Sequence, residues 1–289
     1  MEPGPKGVLY LCATPIGNLE DITLRVLRVL KEVDLIAAED TRYTRKLLSH
    51  YDIHTPLTSY HEHNRHRKGE YLLERLLAGQ NVALVSDAGT PGVSDPGEEL
   101  VRAALEQGIT VVPLPGPSAL LPAITVSGLP SGRFVFEGFL PKKNKERQTR
   151  LSLLAGETRT IVLYEAPHRL LKTLDQFLNV LGDRRACAAR ELTKRFEEIH
   201  RGTISQLRDY FSANPPRGEF VLVIEGKTGA GEDSGTGREW NFLAPEEHVE
   251  LLTREGLHPN EAIKKVARLR NIPRRDLYKL MNKEKTKKT

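Results

Sequence analysis

The sequence lacks any apolar stretch long enough to cross a membrane, and it has too few cysteines for a disulfide framework. A membrane-spanning helix needs about 18 or more predominantly apolar residues, and the runs here are far shorter. Both cysteines, Cys12 and Cys187, stand inside strand-like apolar runs, a setting typical of buried, reduced thiols. The apolar run at residues 8–13 is too short for a secretory signal and has no basic lead-in. We therefore expect a cytoplasmic protein with no membrane partner.

Two common phosphate-binding signatures are also missing. No G-x-G-x-x-G follows the first strand-like run. The triplet Gly226-Lys227-Thr228 has Val221 where a Walker A loop requires its first glycine. Phosphoryl transfer and dinucleotide redox chemistry thereby lose most of their support.

The net charge of +5 is concentrated at the C-terminus. Residues 245–289 hold 12 Lys and Arg against 7 Asp and Glu, and the rest of the chain is balanced. A basic segment of this kind indicates a polyanionic partner. Charge alone leaves a solvated basic tail as an equal alternative.

The pattern of strands and helices predicts an α/β protein with two sheets. Over the first 115 residues, strand-like runs at 8–13, 35–38, 56–60, 82–86 and 110–114 alternate with helical patterns. This alternation favours a mostly parallel sheet covered by helices on both faces. Asp21 and Thr41 are the expected N-caps of the first two helices. In the second set of strands, residues 186–191 and 197–202 leave no room for a crossover helix. They predict an antiparallel hairpin and a mixed second sheet.

Four segments follow from this reading. We predict an N-terminal α/β domain at residues 1–116 and a second α/β domain at 117–227 that completes a ligand cleft. The Gly- and Ser-rich residues 228–244 predict a flexible linker. Residues 245–289 predict short helices resembling a helix-turn-helix module that binds RNA. A helical bundle without a nucleic-acid role is the alternative.

Three loops dense in Pro, Gly and small polar residues follow strands of the first domain. Their sequences are ATPIGN at 13–18, SDAGTP at 86–91 and PGPSA at 115–119. In an open α/β sheet, ligands bind beyond the carboxyl ends of the strands, where these loops emerge. Together they predict a small-molecule cleft.

These three motifs resemble the tetrapyrrole methylase superfamily. Two further motifs, EAPHR at 165–169 and ARELTK at 189–194, resemble its branch that methylates ribosomal RNA of the small subunit. The resemblance implies two α/β domains with S-adenosylmethionine bound between them. It also implies methyl transfer to the 2′-hydroxyl of a cytidine in the decoding region of 16S rRNA, within the small ribosomal subunit. Many relatives pair as homodimers, so a homodimer is expected.

The resemblance also implies cofactor-binding positions, carried over motif by motif. In the first domain these are Pro15, Asp87, Ala88, Ser118 and Ala119. In the second domain the adenosine is expected to meet Leu163 or Tyr164, Ala189 and Phe220.

The reacting groups are less defined by the sequence. A ribose hydroxyl is a weak nucleophile, so in-line placement should supply much of the rate, and its proton needs a base or water. Glu165 and His168 are the candidate bases. Arg190, like Arg169 and Lys194, is a candidate for holding phosphates or a developing alkoxide. An ion pair between Arg190 and its neighbour Glu191 is the alternative.

We expect no metal site. His61, His63 and His66 have a spacing that could suit a metal ion, but basic neighbours would repel a cation.

Two other functions stay open at this point. A methyltransferase acting on a tetrapyrrole or another small molecule would not need the basic C-terminal helices. A nucleotide-sensing regulator would leave the EAPHR loop without a role.

Overall fold

The computed structural model describes residues 4–87, 89–227, 244–254, 256–270 and 272–285. The chain divides into two compact units, Met1–Lys227 and Thr228–Thr289. The predicted linker at residues 228–244 lies outside the described residues, apart from Ala244. The division of the first unit at residues 116 and 117 stays a prediction.

The first sheet is parallel throughout, as predicted. Its strands are β1 (Val8–Cys12), β2 (Leu35–Ala38), β3 (Leu57–Ser59), β4 (Val82–Val85) and β5 (Thr110–Leu114). Their order across the sheet is β3-β2-β4-β1-β5. The intervening helices are α1 (Leu24–Glu32), α2 (Thr41–His50), α3 (Arg65–Leu77) and α4 (Gly97–Glu106).

Helices cover both faces of this sheet because its strands are apolar on both sides. Along β2, Leu35 and Ala37 pack in one cluster with residues of α3 and α4. Ile36 and Ala38 pack in another cluster with residues of α1 and α2. Successive side chains of a strand point to opposite faces, so four consecutive apolar residues support two cores.

Both predicted N-caps are wrong by one or two residues. Asp21 ends a short 3₁₀ turn, and α1 is capped by Thr23, whose side chain accepts a hydrogen bond from the Val26 amide. Thr41 is the first residue of α2, which is capped by Asp40. Asp, Ser and Thr are all good caps, so a sequence with several of them in a row does not decide which one caps.

The second sheet is mixed, and the predicted hairpin is confirmed. It contains β6 (Phe134–Phe139), β7 (Thr160–Glu165), β8 (Arg185–Arg190), β9 (Glu198–Thr203) and β10 (Phe220–Ile224), in the order β6-β7-β10-β8-β9. Strands β6 and β7 are parallel, and the other pairings are antiparallel. The accompanying helices are α5 (Leu120–Ser127), α6 (Asn144–Leu154), α7 (Pro167–Leu181) and α8 (Ile204–Ala213).

The two faces of the second sheet differ in what covers them. Ile161 and Leu163 of β7 pack in a cluster with residues of α6, α7 and α8. Val162 and Tyr164 face the other way, into a cluster with residues of α5 and with Ile16 from the first domain's loop. The second face therefore turns toward the loops of the first sheet.

The C-terminal unit contains the predicted helices, α9 (Pro245–Arg254), α10 (Pro259–Leu269) and α11 (Arg274–Lys285). Val249, Ile263, Val266 and Leu277 belong to its own apolar core. The predicted RNA-binding role of this unit stays a prediction. Within the part of the chain that the structure describes, no helix is long and apolar enough to cross a membrane.

Candidate active site

A cavity of about 600 Å³ lies between the carboxyl edge of the first sheet and the second sheet. Ile16 follows β1 and Asp87 follows β4, and both line the cavity. The opposite side is formed by Tyr164 of β7, Ala189 of β8 and Phe220 of β10. The cavity thus lies where the three loops predicted a ligand cleft.

Hydrogen bonds fasten the three loops to one another. Thr14 and Gly89 exchange two backbone hydrogen bonds of 3.0 Å each, and the Thr14 hydroxyl donates to the Ser86 carbonyl at 2.9 Å. The Thr90 hydroxyl donates to the Pro117 carbonyl at 3.2 Å. Gly89 has a φ of +90°, and a Cβ there would lie 3.3 Å from both Ile16 Cγ2 and the Pro117 oxygen. Glycine therefore allows the backbone to pass close beneath the cavity.

Carboxylates form one edge of the cavity. Asp87 accepts a hydrogen bond of 2.7 Å from the Asp40 amide, and Asp95 accepts from the Gly92 and Gly97 amides. Burial raises the pKa of Glu39, and the negative charges of Asp87 and Asp95 raise it further. Burial also raises the pKa of Asp87. Carboxylates that are costly to ionise together favour a ligand carrying a positive charge or several donors.

The opposing wall is apolar and aromatic. Leu192 and Val221 line it together with Phe139 and Tyr164, and Ile16 adds an apolar side chain from the loop after β1. The rings of Phe139 and Tyr164 lie with their centroids 5.5 Å apart, and burial raises the pKa of Tyr164, so its hydroxyl stays neutral. A wall of this kind suits a flat heterocycle.

A bonded cluster of Glu191, Lys194 and Glu219 forms one end of the cavity. The Lys194 ammonium lies 3.1 Å from Glu191 Oε1 and 2.9 Å from Glu219 Oε2. Glu191 and Thr193 have φ values of +48° and +66°, a backbone strain that is often found at functional sites. A Cβ on Gly17 would lie 2.2 Å from Lys194 Cγ, so a side chain at position 17 would force the Lys194 side chain to move.

Six of the nine predicted cofactor residues line the cavity. They are Asp87, Ser118, Ala119, Tyr164, Ala189 and Phe220. Pro15 is buried next to Ile16, which does line the cavity. The side chain of Leu163 lies in the core on the other face of β7, and of the pair Leu163 and Tyr164 it is Tyr164 that faces the cavity. Ala88 lies outside the described residues.

Glu165 borders the cavity, but its carboxylate is engaged elsewhere. The side chain is fully buried, at 3.6 Å from Arg147 and 3.3 Å from Arg169. It also accepts hydrogen bonds from the Thr173 hydroxyl at 2.5 Å and the Ala166 amide at 3.0 Å. These contacts are those of a residue that holds α7 in place, and they leave its oxygens poorly placed to take a proton from a substrate.

The other two candidates for catalysis occupy different positions. His168, in the first turn of α7, is exposed and lines the cavity. Arg190 does not line it: its guanidinium donates to the Arg217 carbonyl at 2.6 Å and to Glu198 at 2.8 Å. The alternative pairing of Arg190 with Glu191 is wrong, because Glu191 bonds to Lys194 instead.

Sequence reasoning missed several residues of the site, and three of them show why. Glu39 directly follows β2, so the same rule that selected the loops after β1 and β4 could have found it. Asp95 lies four residues beyond the loop at 86–91 and was given no role. Phe139 ends β6, and its place in the cavity depends on how the two sheets meet, which no local pattern reveals.

The histidines near residue 61 form no metal site in the structure. His61 and His63 have ring centroids 6.0 Å apart. Across the described residues, no group of three His, Cys, Asp or Glu side chains is arranged to hold a metal ion.

Comparison with known proteins gives matches to sequences and to folds. The family described as Tetrapyrrole (Corrin/Porphyrin) Methylases matches residues 8–208. The chain is 54% identical over 275 residues to Ribosomal RNA small subunit methyltransferase I of Synechocystis, covering 95% of this chain and 97% of the relative. It is 48% identical to the protein of that name from Halalkalibacterium halodurans, covering 96% of each.

Solved structures share the fold at much lower identity. The Thermus thermophilus uroporphyrin-III C-methyltransferase, complexed with S-adenosylhomocysteine, matches with a TM-score of 0.54 and 19% identity. The match covers 76% of this chain and 97% of that one. The predicted α/β fold with one parallel and one mixed sheet is thereby confirmed.

Proposed function

Because this chain belongs to the tetrapyrrole methylase family, and within it to the ribosomal RNA small subunit methyltransferase I group, we propose that it methylates RNA of the small ribosomal subunit. S-adenosylmethionine is the proposed methyl donor. The observation that carries the proposal is an identity of about half over nearly the full length of both chains. The proposed target is the 2′-hydroxyl of a cytidine in the decoding region of 16S rRNA.

The cavity fits the proposed cofactor in size and in chemistry. Its volume of about 600 Å³ falls within the range of roughly 300–1,000 Å³ usual for small-molecule sites. The apolar wall around Tyr164 suits the adenine, and the carboxylates of Glu39 and Asp87 suit hydroxyl and ammonium groups. The solved relative that carries S-adenosylhomocysteine supports this fit. When bound, the cofactor supplies an electrophilic methyl group on a sulfonium sulfur.

The proposed holders of the cofactor come from both sheets. Asp87, Ser118 and Ala119 would hold it from the first sheet, and Tyr164, Ala189 and Phe220 from the second. Because hydrogen bonds fix the loops that carry the first set, little reorganisation is needed on binding. This rigidity supports in-line placement of the hydroxyl, which is a weak nucleophile. Correct placement of two reactants can supply much of the rate enhancement of an enzyme.

Among the three candidates for catalysis, His168 is the one we propose as proton acceptor. Its imidazole lines the cavity from an exposed position, and histidine is the commonest general base in enzymes. Glu165 is a positioning residue in this proposal, since its contacts fix the first turn of α7 that carries His168. Arg190 stabilises the strand pairing beside the site.

The test is methyl transfer from labelled S-adenosylmethionine to small ribosomal subunits that lack the modification, followed by mapping of the label. Label on the 2′-oxygen of a decoding-region cytidine is the expected result. Label on another nucleotide would refute the proposed target but would still support methylation of small-subunit RNA. No label on subunits or naked RNA, despite tight cofactor binding, would refute the proposal and favour a small-molecule substrate.

A further inference from the structure

We propose that a second cavity, beside the cofactor cavity, binds a phosphate group of the RNA backbone; this inference rests on the proposed function and adds a substrate subsite to it. The cavity has a volume of about 230 Å³ and is lined by Lys142, Arg147, His168, Arg169 and Lys172. Every one of these lining side chains is basic. His168 lines both this cavity, hereafter the basic cavity, and the cofactor cavity.

An unsatisfied guanidinium donor indicates that the basic cavity accepts an anion. The Arg147 side chain is only 4% exposed. Its Nε donates to Gln176 Oε1 and its Nη2 donates to Thr173 Oγ1, each at 2.6 Å. Its buried Nη1 finds no hydrogen-bond partner among the described residues. A buried charged donor without an acceptor is costly, and an oxyanion in the cavity that Arg147 lines would satisfy it.

The charges around the basic cavity do not cancel. The Glu165 carboxylate, at 3.6 Å from Arg147 and 3.3 Å from Arg169, offsets about one of the four fixed positive charges. Burial lowers the pKa of Arg147, and the charge of Glu165 opposes that effect, so the guanidinium remains protonated at neutral pH. The first turn of the 15-residue helix α7 carries His168 and Arg169 and adds the partial positive charge of a helix N-terminus.

The chemistry and the accessibility of the cavity select a phosphodiester. The Nη1 of Arg147 can donate a charge-assisted hydrogen bond to a phosphate oxygen, and RNA-binding proteins use such contacts to fix the register of the chain. Lys142 and Lys172 are exposed while Arg147 is buried, so a phosphate can reach Arg147 with the rest of the polymer outside. Because His168 is common to both cavities, a phosphate held here would place a nearby ribose at the cofactor cavity.

The inference is tested with exposed lysines, whose substitution leaves the buried network intact. Lys172→Gln removes a charge from the cavity, and Lys145→Gln is the matched control, because Lys145 is also an exposed lysine but does not line the cavity. Binding is measured on the full chain by fluorescence anisotropy with labelled small-subunit ribosomal RNA across a series of KCl concentrations. Calorimetry with S-adenosylmethionine reports the cofactor site.

Lys172→Gln should weaken RNA binding about three- to tenfold and reduce the slope of log K against log salt by roughly 0.7, the loss of one phosphate contact on single-stranded nucleic acid. Cofactor affinity should not change, and the loss in methyl transfer should lie in KM for RNA more than in kcat. Arg147→Lys, which keeps the positive charge but removes the Nη1 donor, should also weaken RNA binding. Its melting temperature shows whether the fold is retained.

Two results would overturn the inference. The first is wild-type RNA affinity in Lys172→Gln, even if the wild type binds inorganic phosphate. The second is an equal loss in Lys145→Gln, which would indicate diffuse attraction. The proposed function fails separately. If no RNA is methylated but Lys172→Gln still lowers RNA affinity and the salt slope, the function is refuted and the phosphate site stands.

Discussion

Substitution of the buried Glu165 separates the two roles that its position suggests. Glu165→Gln removes the negative charge and keeps the size of the side chain. The amide oxygen can still accept from the Ala166 amide, which lies 3.0 Å from Oε1 of the carboxylate. The amide nitrogen replaces Oε2, which lies 2.5 Å from the Thr173 hydroxyl, and it can donate to that hydroxyl. Arg147 and Arg169 lose the charge that faces them at 3.6 and 3.3 Å. The substitution therefore isolates the electrostatic part of the network.

The expected destabilisation is about 3 kcal/mol. Removing one partner of a buried ion pair typically costs roughly 3–5 kcal/mol because the remaining charge stays buried without compensation. The lower end applies because Gln retains two of the hydrogen bonds and Arg169 is partly exposed. For a domain of this size, each kcal/mol shifts Tm by about 2–4 °C. The predicted loss in Tm is therefore about 6–12 °C.

Thermal unfolding followed by circular dichroism measures this shift, and methyl transfer measured well below Tm gives kcat. Glu32→Gln is the control, because the Arg28–Glu32 pair is more than half exposed on both sides and should contribute at most about 0.5 kcal/mol. A kcat within about tenfold of wild type is expected for Glu165→Gln. An unchanged Tm together with a kcat lost by two orders of magnitude would show that Glu165 is the base, and the positioning role would be wrong.

Four further predictions concern the cofactor cavity and the C-terminal unit. Asp87→Asn should weaken S-adenosylmethionine binding about tenfold in calorimetry, since a hydrogen bond to a charged group contributes about 1.5 kcal/mol; wild-type affinity would remove Asp87 from the site. Affinity of the wild type should also decrease as the pH falls from 7 toward 5, because the raised pKa values of Glu39 and Asp87 bring their protonation nearer to neutrality, and a pH-independent affinity would contradict this. Gly89→Ala should lower Tm by about 2–6 °C, since a φ of +90° costs a residue with a Cβ about 1 kcal/mol or more, and an unchanged Tm would show that the loop relaxes. Deleting residues 245–289 should reduce RNA affinity and its salt dependence while cofactor affinity stays intact; salt-dependent binding that survives the deletion would exclude this unit as the RNA anchor.

The strands and helices were predictable because turn residues mark where each one begins and ends in the sequence. The structure has β2 at Leu35–Ala38 and β5 at Thr110–Leu114, the same residues that the apolar runs predict. The hairpin of β8 and β9 followed from chain length alone, since too few residues separate the strands for a helix. The caps were not predictable, because Asp21, Thr23, Asp40 and Thr41 compete locally and the sheet determines where each helix begins.

The residues of the candidate site that follow the ends of strands could be predicted from the sequence. The ion-pair partners that come from other helices or strands could not. The loops that contain Asp87 and Ser118 were found because parallel strands bring their carboxyl ends to one edge. The role of Glu165 was missed because Arg147 comes from α6, a separate element. Arg190 pairs with Glu198 because the register of β8 and β9 places these two residues opposite each other, information that the sequence of β8 does not contain.

Because His168 lies between the two cavities, the Glu165 carboxylate affects both of them. Glu165 holds Arg147 and Arg169, which line the basic cavity, and through Ala166 and Thr173 it also holds the first turn of α7. The same buried charge therefore sets where a phosphate is held and where the imidazole stands. A nucleotide fixed by its phosphate in one cavity can present its ribose to the other only if that spacing is rigid. A buried ion pair gives such rigidity, and removal of one partner leaves the other charge buried without compensation. Glu165→Gln should therefore act first on Tm and on RNA positioning.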